Sequence, residues 1–303
     1  MPKFFKLIIT LVVLGGLLLI SQQVSAQSWI PVRGGIPFGI SGMALINQQS
    51  NKLDFLIVHD NKKPNQGRLA IISLRGKNQP EYLPLNLPNN IQLPTDLEAL
   101  TSIPDTNNFD FIAVNSEGKA YYLQLESNSK NISIFKEFNL PKITITKNSN
   151  FESFCLQKID NQLIAMWGHR GEGVNPAKIY WGKFDLNQYQ ITNVGEANFQ
   201  VPFHGGNVRH ISDIKIDHAG IVYITSASDG GDNGPFESAV YVAGYLGLNG
   251  NKIEWKQNPN LFPIYRDKYH KIEGLELIPG AAGGIIVGTD DENMGSSVYM
   301  IGE

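Results

Sequence analysis

Cysteine is nearly absent: Cys155 is the only one in 303 residues, so no internal disulfide staples the chain. Its stability must come from packing, with or without a metal. Flanked by Phe154 and Leu156, that thiol reads as a buried, inert group rather than a nucleophile. Helix signals are scarce as well, whereas short apolar runs broken by Asn, Gly, Pro and Asp recur along the chain. An excess of basic charge is also missing. The formal net charge is −3 and becomes more acidic once Lys3 and Lys6 of the leader are set aside, which excludes nucleic acid and anionic membrane surfaces as generic partners. No Gly-x-Ser-x-Gly elbow, Walker loop or His-Glu-x-x-His motif occurs, so serine hydrolase and zinc peptidase readings have no support.

What is present begins with a leader. The N-terminus carries two lysines, an apolar run from Leu7 to Ile20, and small residues at Val24, Ser25 and Ala26 before Gln27, the layout of a secretory signal peptide. An uncleaved anchor is the alternative, but the run falls below the roughly 18 residues of a membrane span. No cysteine stands at the cleavage position for a lipid anchor. The expectation is a signal peptide over residues 1–26, a secreted or periplasmic protein with no membrane contact after cleavage, and one domain over residues 27–303 with a sizeable core.

That domain repeats itself. "ISGMAL" from Ile40, "LEALTS" from Leu97, "FESFCL" from Phe151, "ISDIKI" from Ile211 and "IEGLEL" from Ile272 align without gaps at their start. Each is followed by a second apolar strand, such as "FIAVNSEG" or "VYITSASDG", and by a third, such as "KAYYLQLE" or "AVYVAGYL". Fourth strands read as "ISIFKEFNL", "QITNVGEANF" and "KIEWKQ", with "EYLPLNL" a weaker candidate. Four strands per repeat, stacked radially, predict an all-β, five-bladed β-propeller. The chain ends after three strands of its last unit, so the N-terminal "SWIPVRG" is expected to supply the fourth and remove an open sheet edge. The stretches from Pro84 to Thr95 and from Asn258 to His270 read as irregular joins between blades.

The second position of each aligned segment is Ser41, Glu98, Glu152, Ser212 and Glu273, at separations of 57, 54, 60 and 61 residues. Equivalent positions on five inner strands form a ring at the central channel. Two carboxylates about 6 Å apart repel by on the order of 3 kcal/mol at an effective dielectric near 20, so something positive is expected among them. Oxygen ligands without thiolate or imidazole select a hard cation, and Ca²⁺ fits better than Mg²⁺. The alternative is a ring that only bonds neighbouring blades.

Here the chain resembles the calcium-dependent nucleotidases, or apyrases. It is similar to them in the order Ser, Glu, Glu, Ser, Glu at the channel and in the words "FESF", "ISDIKI" and "KIEGLELI". The family's first unit reads Ser-Asp, whereas Gly42 follows Ser41 here and the aspartate is Asp213 after Ser212. A looser resemblance links the chain to phytase-like and esterase-like propellers. These resemblances imply a secreted Ca²⁺-dependent phosphohydrolase acting on nucleotides or small phosphoesters, with Ser41, Glu98, Glu152, Ser212, Asp213 and Glu273 around the metal. The ends of the second strands place His59, Asp60, Glu117, His169, Arg170, Asp229, Asp290 and Asp291 at one mouth of the channel. Among these, Asp60 is expected to orient a water, and His169 and Arg170 to neutralise charge on a phosphoryl group. Arg209–His210 reads equally as a mouth pair or a bridge between blades. The alternative function is a non-catalytic, calcium-stabilised propeller that binds a glycan or a protein.

Overall fold

The computed structural model describes residues 28–76, 78–88, 91–106, 109–126, 130–145, 149–202, 207–280 and 283–302. The expected signal peptide lies outside the described residues. Within them the chain is all-β, with five antiparallel sheets and only three short 3-10 turns.

Strand β1 (Ile30–Arg33) comes first in sequence but belongs to the last blade. The first blade is β2 (Gly42–Gln49), β3 (Lys52–Val58), β4 (Leu69–Leu74) and β5 (Glu81–Pro84). The second is β6 (Leu97–Ser102), β7 (Asp110–Asn115), β8 (Lys119–Leu125) and β9 (Ile132–Asn139). The third is β10 (Phe151–Ile159), β11 (Gln162–His169), β12 (Ala177–Asp185) and β13 (Gln190–Phe199). The fourth is β14 (Val208–Ile216), β15 (Ile221–Ser228), β16 (Glu237–Asn249) and β17 (Lys252–Gln257), with β18 (Pro263–Asp267) added. The fifth is β19 (Ile272–Ile278), β20 (Gly284–Thr289) and β21 (Ser296–Ile301), completed by β1.

The residue pattern explains the layering. Second strands such as β3 and β11 are nearly continuous apolar runs because both faces are covered by neighbouring blades. Outer strands such as β9 carry Lys136 and Glu137 into solvent. Five apolar clusters form the core, one per blade junction. Leu56 and Phe111 join the first two blades, Ile112 and Trp167 the next pair, and Met166 and Ile224 the third and fourth. Val240 meets Val287, and Ile57 meets Ile286, which closes the ring.

That closure depends on the N-terminal segment, as the sequence predicts. Ile30 and Pro31 pair with Val298 and Ser297, and the Trp29 indole donates to Asp267 at 2.9 Å while its ring centre lies 4.3 Å from that of His270, tilted by 35°. Removing Trp29 to Gly34 is expected to lower the melting temperature by roughly 5–10 °C, through lost burial of about 3 kcal/mol and an opened edge. A thermal melt equal to that of the intact domain would show that the ring closes without this strand.

One join departs from expectation. The stretch from Asn258 to His270 contains β18, which the sequence reading leaves irregular. Strand β16 is 13 residues long, and β17 covers only its second half, from Gly244 to Asn249. Its first half, Ser238 to Tyr241, would be a bare edge, and β18 pairs with it.

Candidate functional site

The ring residues open the inner strands at one end of the channel, and the backbone sets them apart there. Ladder register slips between Leu97 and Ala99, between Phe151 and Ser153, and between Ile272 and Gly274. In each case the skipped residue is the ring glutamate. Glu98, Glu152 and Glu273 are therefore the extra residues of β-bulges, a device that re-aims a side chain out of the regular pleat. A longer slip in β14, between Arg209 and Asp213, contains Ser212. Ser41 directly precedes β2 and donates its N–H to Val58.

Positive charge at the mouth comes from the protein's own side chains. Arg170 Nη1 lies 3.2 Å from Glu152 Oε1, and Arg209 Nη1 lies 2.8 Å from Glu273 Oε1 while its other arm reaches Asp229. Lys271 is buried with its Nζ 3.4 Å from both Glu273 and Asp290, and it also bonds Glu292. Gly39 makes room for this arrangement, since a Cβ there would sit 2.1 Å from Asp290 Oδ1. Burial opposes the charge on Arg209, but Glu273, Glu152 and Asp229 raise its pKa. Lys271 is raised in the same way by Glu273 and Asp290 against its burial.

Glu98 and Asp60 are treated differently. They belong to adjacent blades, and with Asp96 they bring carboxylate oxygens within 4.8 Å of one another. Asp96 is held by Lys62 at 2.9 Å and accepts from Ser116. Among the described residues no cation lies within ion-pair distance of Glu98 or Asp60. Burial, reinforced by Glu152 and Glu273, holds Glu98 well above the usual carboxyl range. Burial and Glu273 push Asp60 up to about 6. Glu152 is also raised by burial, but Arg209 and Arg170 oppose the shift. Glu98 and Asp60 retain some accessible surface, whereas Glu152 and Glu273 are buried.

The remaining predicted residues fall elsewhere. Asp213 is fully buried and accepts N–H bonds from Ile214 at 2.7 Å and Leu275 at 2.9 Å; it faces Lys215 and Glu276, further along the inner strands. His169 lies edge-on to Phe151 and accepts from the Gly171 N–H. The Ser41 and Ser212 hydroxyls are buried with no hydrogen-bond partner among the described residues. His59 is buried between Gly39 O and the Tyr82 hydroxyl, and burial pulls its pKa down to about 4, so it stays neutral. Cys155 is buried, as expected. Sequence reasoning missed Lys271, Asp96, Lys215 and Glu276. For three of them a signal existed: Lys271 directly precedes "IEGLEL", and Lys215 and Glu276 share the fifth position of aligned segments.

No family model matches the sequence, and no curated protein matches it. Solved structures do. An endo-1,4-beta-xylanase from Bacteroides thetaiotaomicron VPI-5482 superposes with a TM-score of 0.55 at 9% identity, covering 88% of this chain and 92% of that one. A thermostable family-43 glycoside hydrolase gives 0.52 at 14% identity, covering 89% and 90%. An endo-arabinase from the same Bacteroides strain gives 0.52 at 7%, covering 91% and 98%. Similarity at these identities is a similarity of fold.

These findings correct the expected function. The five-bladed architecture stands, but the three solved structures named above are glycoside hydrolases, and none of them is a nucleotidase or a phytase. The charge at the mouth agrees: carboxyls outnumber cations, and Arg170, expected to grip a phosphoryl group, is bound to Glu152. The roles assigned to Asp60, His169 and Arg170 in phosphoryl transfer fall with that function.

Proposed function

We propose that this chain is a carbohydrate-acting propeller that receives a neutral glycan at the channel mouth and hydrolyses a glycosidic bond there. The observation that carries the reading is the contrast between two kinds of carboxyl. Glu98 and Asp60 are accessible, close together and free of ion pairs, while Glu152 and Glu273 are tied to guanidinium groups. Environments that push carboxyl pKa values apart supply an acid and a base on one surface. Glu98, raised well above the usual carboxyl range, is the proton donor to the leaving oxygen, and Asp60, near 6, is ionised at neutral pH and faces the anomeric carbon or its water. An acid-rich mouth also suits sugar hydroxyls, which donate to carboxylates, and repels phosphate. The fold-level likeness to glycoside hydrolases supports the same substrate class.

The test is release of reducing ends from a panel of polysaccharides that includes arabinan and xylan. A second reading, a glycan binder without catalysis, is favoured by the ion pairs that fill much of the mouth. Retention of the protein on a polysaccharide with no release of reducing ends would select that reading. Neither retention nor release from any polysaccharide would end both. Export remains part of this proposal. Among the described residues no helix is long and apolar enough to cross a membrane.

Ca²⁺ is a competing proposal for the same oxygens. The donor set fits at Asp60, Asp96 and Glu98, where hard carboxylate ligands converge without a bound cation on two of the three, and not across the whole ring, where Arg and Lys hold Glu152 and Glu273. An ion there keeps Glu98 ionised and so excludes proton donation. Calcium is then expected to raise the melting temperature by mass action and to suppress wild-type hydrolysis, with the thermal response lost in Glu98→Gln. A melting temperature indifferent to calcium and to chelator rules the ion out.

A further inference from the structure

The mouth face carries large exposed apolar side chains that its charge network does not use. Val174 and Met294 stand on loops that join second and third strands, and Tyr269 on the segment entering β19. Tyr269 is the aromatic one, and its backbone is braced by a side chain. Asp267 Oδ1 accepts the N–H groups of Tyr269 at 2.7 Å and His270 at 2.9 Å, and its Oδ2 accepts from Trp29. The next residue, His270, is fixed between Trp29 and Asp291. Lys271, one position further, enters the ion-pair network with Glu273 and Asp290. The turn is thus braced two residues before the Lys271 ion-pair network, while Tyr269 is 74% exposed.

We infer that Tyr269 is a stacking platform for a sugar residue beyond the cleaved bond, so that the ligand of this mouth is an extended polysaccharide chain and not a mono- or disaccharide. The inference rests on the glycan reading above and deepens it. A sugar ring presents C–H groups on its faces and hydroxyls at its edge. An aromatic face on a braced turn, next to a polar floor, matches both at small cost in conformational entropy, since the loop is already ordered. Length matters because the platform lies on the rim and the acid pair on the floor: a short ligand bound at the floor does not reach it.

The experiment is titration calorimetry of xylo- and arabino-oligosaccharides, from disaccharide to hexasaccharide, against the full chain carrying Glu98→Gln, which removes the proton donor and slows turnover by the roughly two to four orders of magnitude expected of that change. Affinity is expected to rise with length. Adding Tyr269→Ala should weaken hexasaccharide binding about two- to tenfold and leave the disaccharide unchanged. Tyr269→Phe should bind as Tyr269 does, because stacking needs the ring and not the hydroxyl. Melting temperatures should stay within a degree or so, given that the side chain is exposed. Affinity independent of length, or a Tyr269→Ala variant that matches its parent on the hexasaccharide, overturns the inference and leaves the glycan reading standing. If no oligosaccharide binds and wild type releases no reducing ends, both are overturned.

Discussion

Replacing Lys215 by methionine is expected to destabilise the domain by about 3–5 kcal/mol, the usual cost of removing one partner from a buried charge pair. Lys215 rises from β14 and donates across the channel to Met43 O at 2.9 Å and Leu100 O at 2.6 Å, so one side chain joins three blades. Asp213 and Glu276 each lie 3.9 Å from its Nζ, and Glu276 in turn accepts from Leu45 N–H in the first blade. Methionine keeps most of the stem's volume but takes the ammonium away from two carbonyls and from two carboxyls, Asp213 buried and Glu276 nearly so. Burial already pushes Asp213 up to about 7 despite the lysine. The midpoint of urea unfolding reads the effect, and adding Asp213→Asn and Glu276→Gln should recover part of it. A Lys215→Met midpoint equal to wild type would show that this ammonium merely fills space.

Glu98→Gln should reduce glycan hydrolysis by about two to four orders of magnitude, the range general acid catalysis contributes, while preserving glycan binding. Glutamine keeps the shape and can hydrogen-bond a sugar, but has no proton to give. The pH dependence follows from the sign of the shift. Because the folded pKa is raised, Glu98 keeps its proton to higher pH than a free glutamic acid, so wild-type activity should extend upward from the usual carboxyl range and fall as Glu98 ionises. The lower limb is set by Asp60, which must be ionised and does so near 6. An activity profile governed by a single carboxyl near 4, or full turnover by Glu98→Gln, would remove Glu98 from the donor role.

The propeller was legible because its signal is local and repeated. "IEGLEL" and "LEALTS" announce inner strands, and five copies define the ring without any knowledge of contacts. The closing strand was legible for a related reason: the last repeat lacked a fourth strand and "SWIPVRG" had no other place. Strand β18 was not, because its cause is the unusual length of β16, which matters only once β17 is seen to stop half-way. The ring glutamates were found, but their bulges were not, since a register slip is a relation between two strands and leaves no mark in either. The counter-charges escaped for the same reason. Arg209 and Glu273 are 64 positions apart, and nothing in the neighbourhood of either names the other. The spacing of the glutamates calls for positive charge, while its source, protein or metal, depends on distances that no spacing reveals. The chemistry inferred from short matching words went astray because "EGL" and "FESF" mark how a blade begins, which propellers of different activity have in common.

The pairing of β1 with β21 also orders events in time. Residues 30–33 pair with residues 296–298, so β1, the first of these strands to be synthesised, finds its partner only when β21 has been made. Four blades can gather from neighbours in sequence, each hairpin closing a short loop, but the fifth requires the longest loop in the chain to close. Ring closure is therefore expected to be the final step of folding, with the chain an open arc until β21 pairs with β1. In pulsed hydrogen exchange during refolding, amides of β1 and β21 should gain protection after those of β6 to β8.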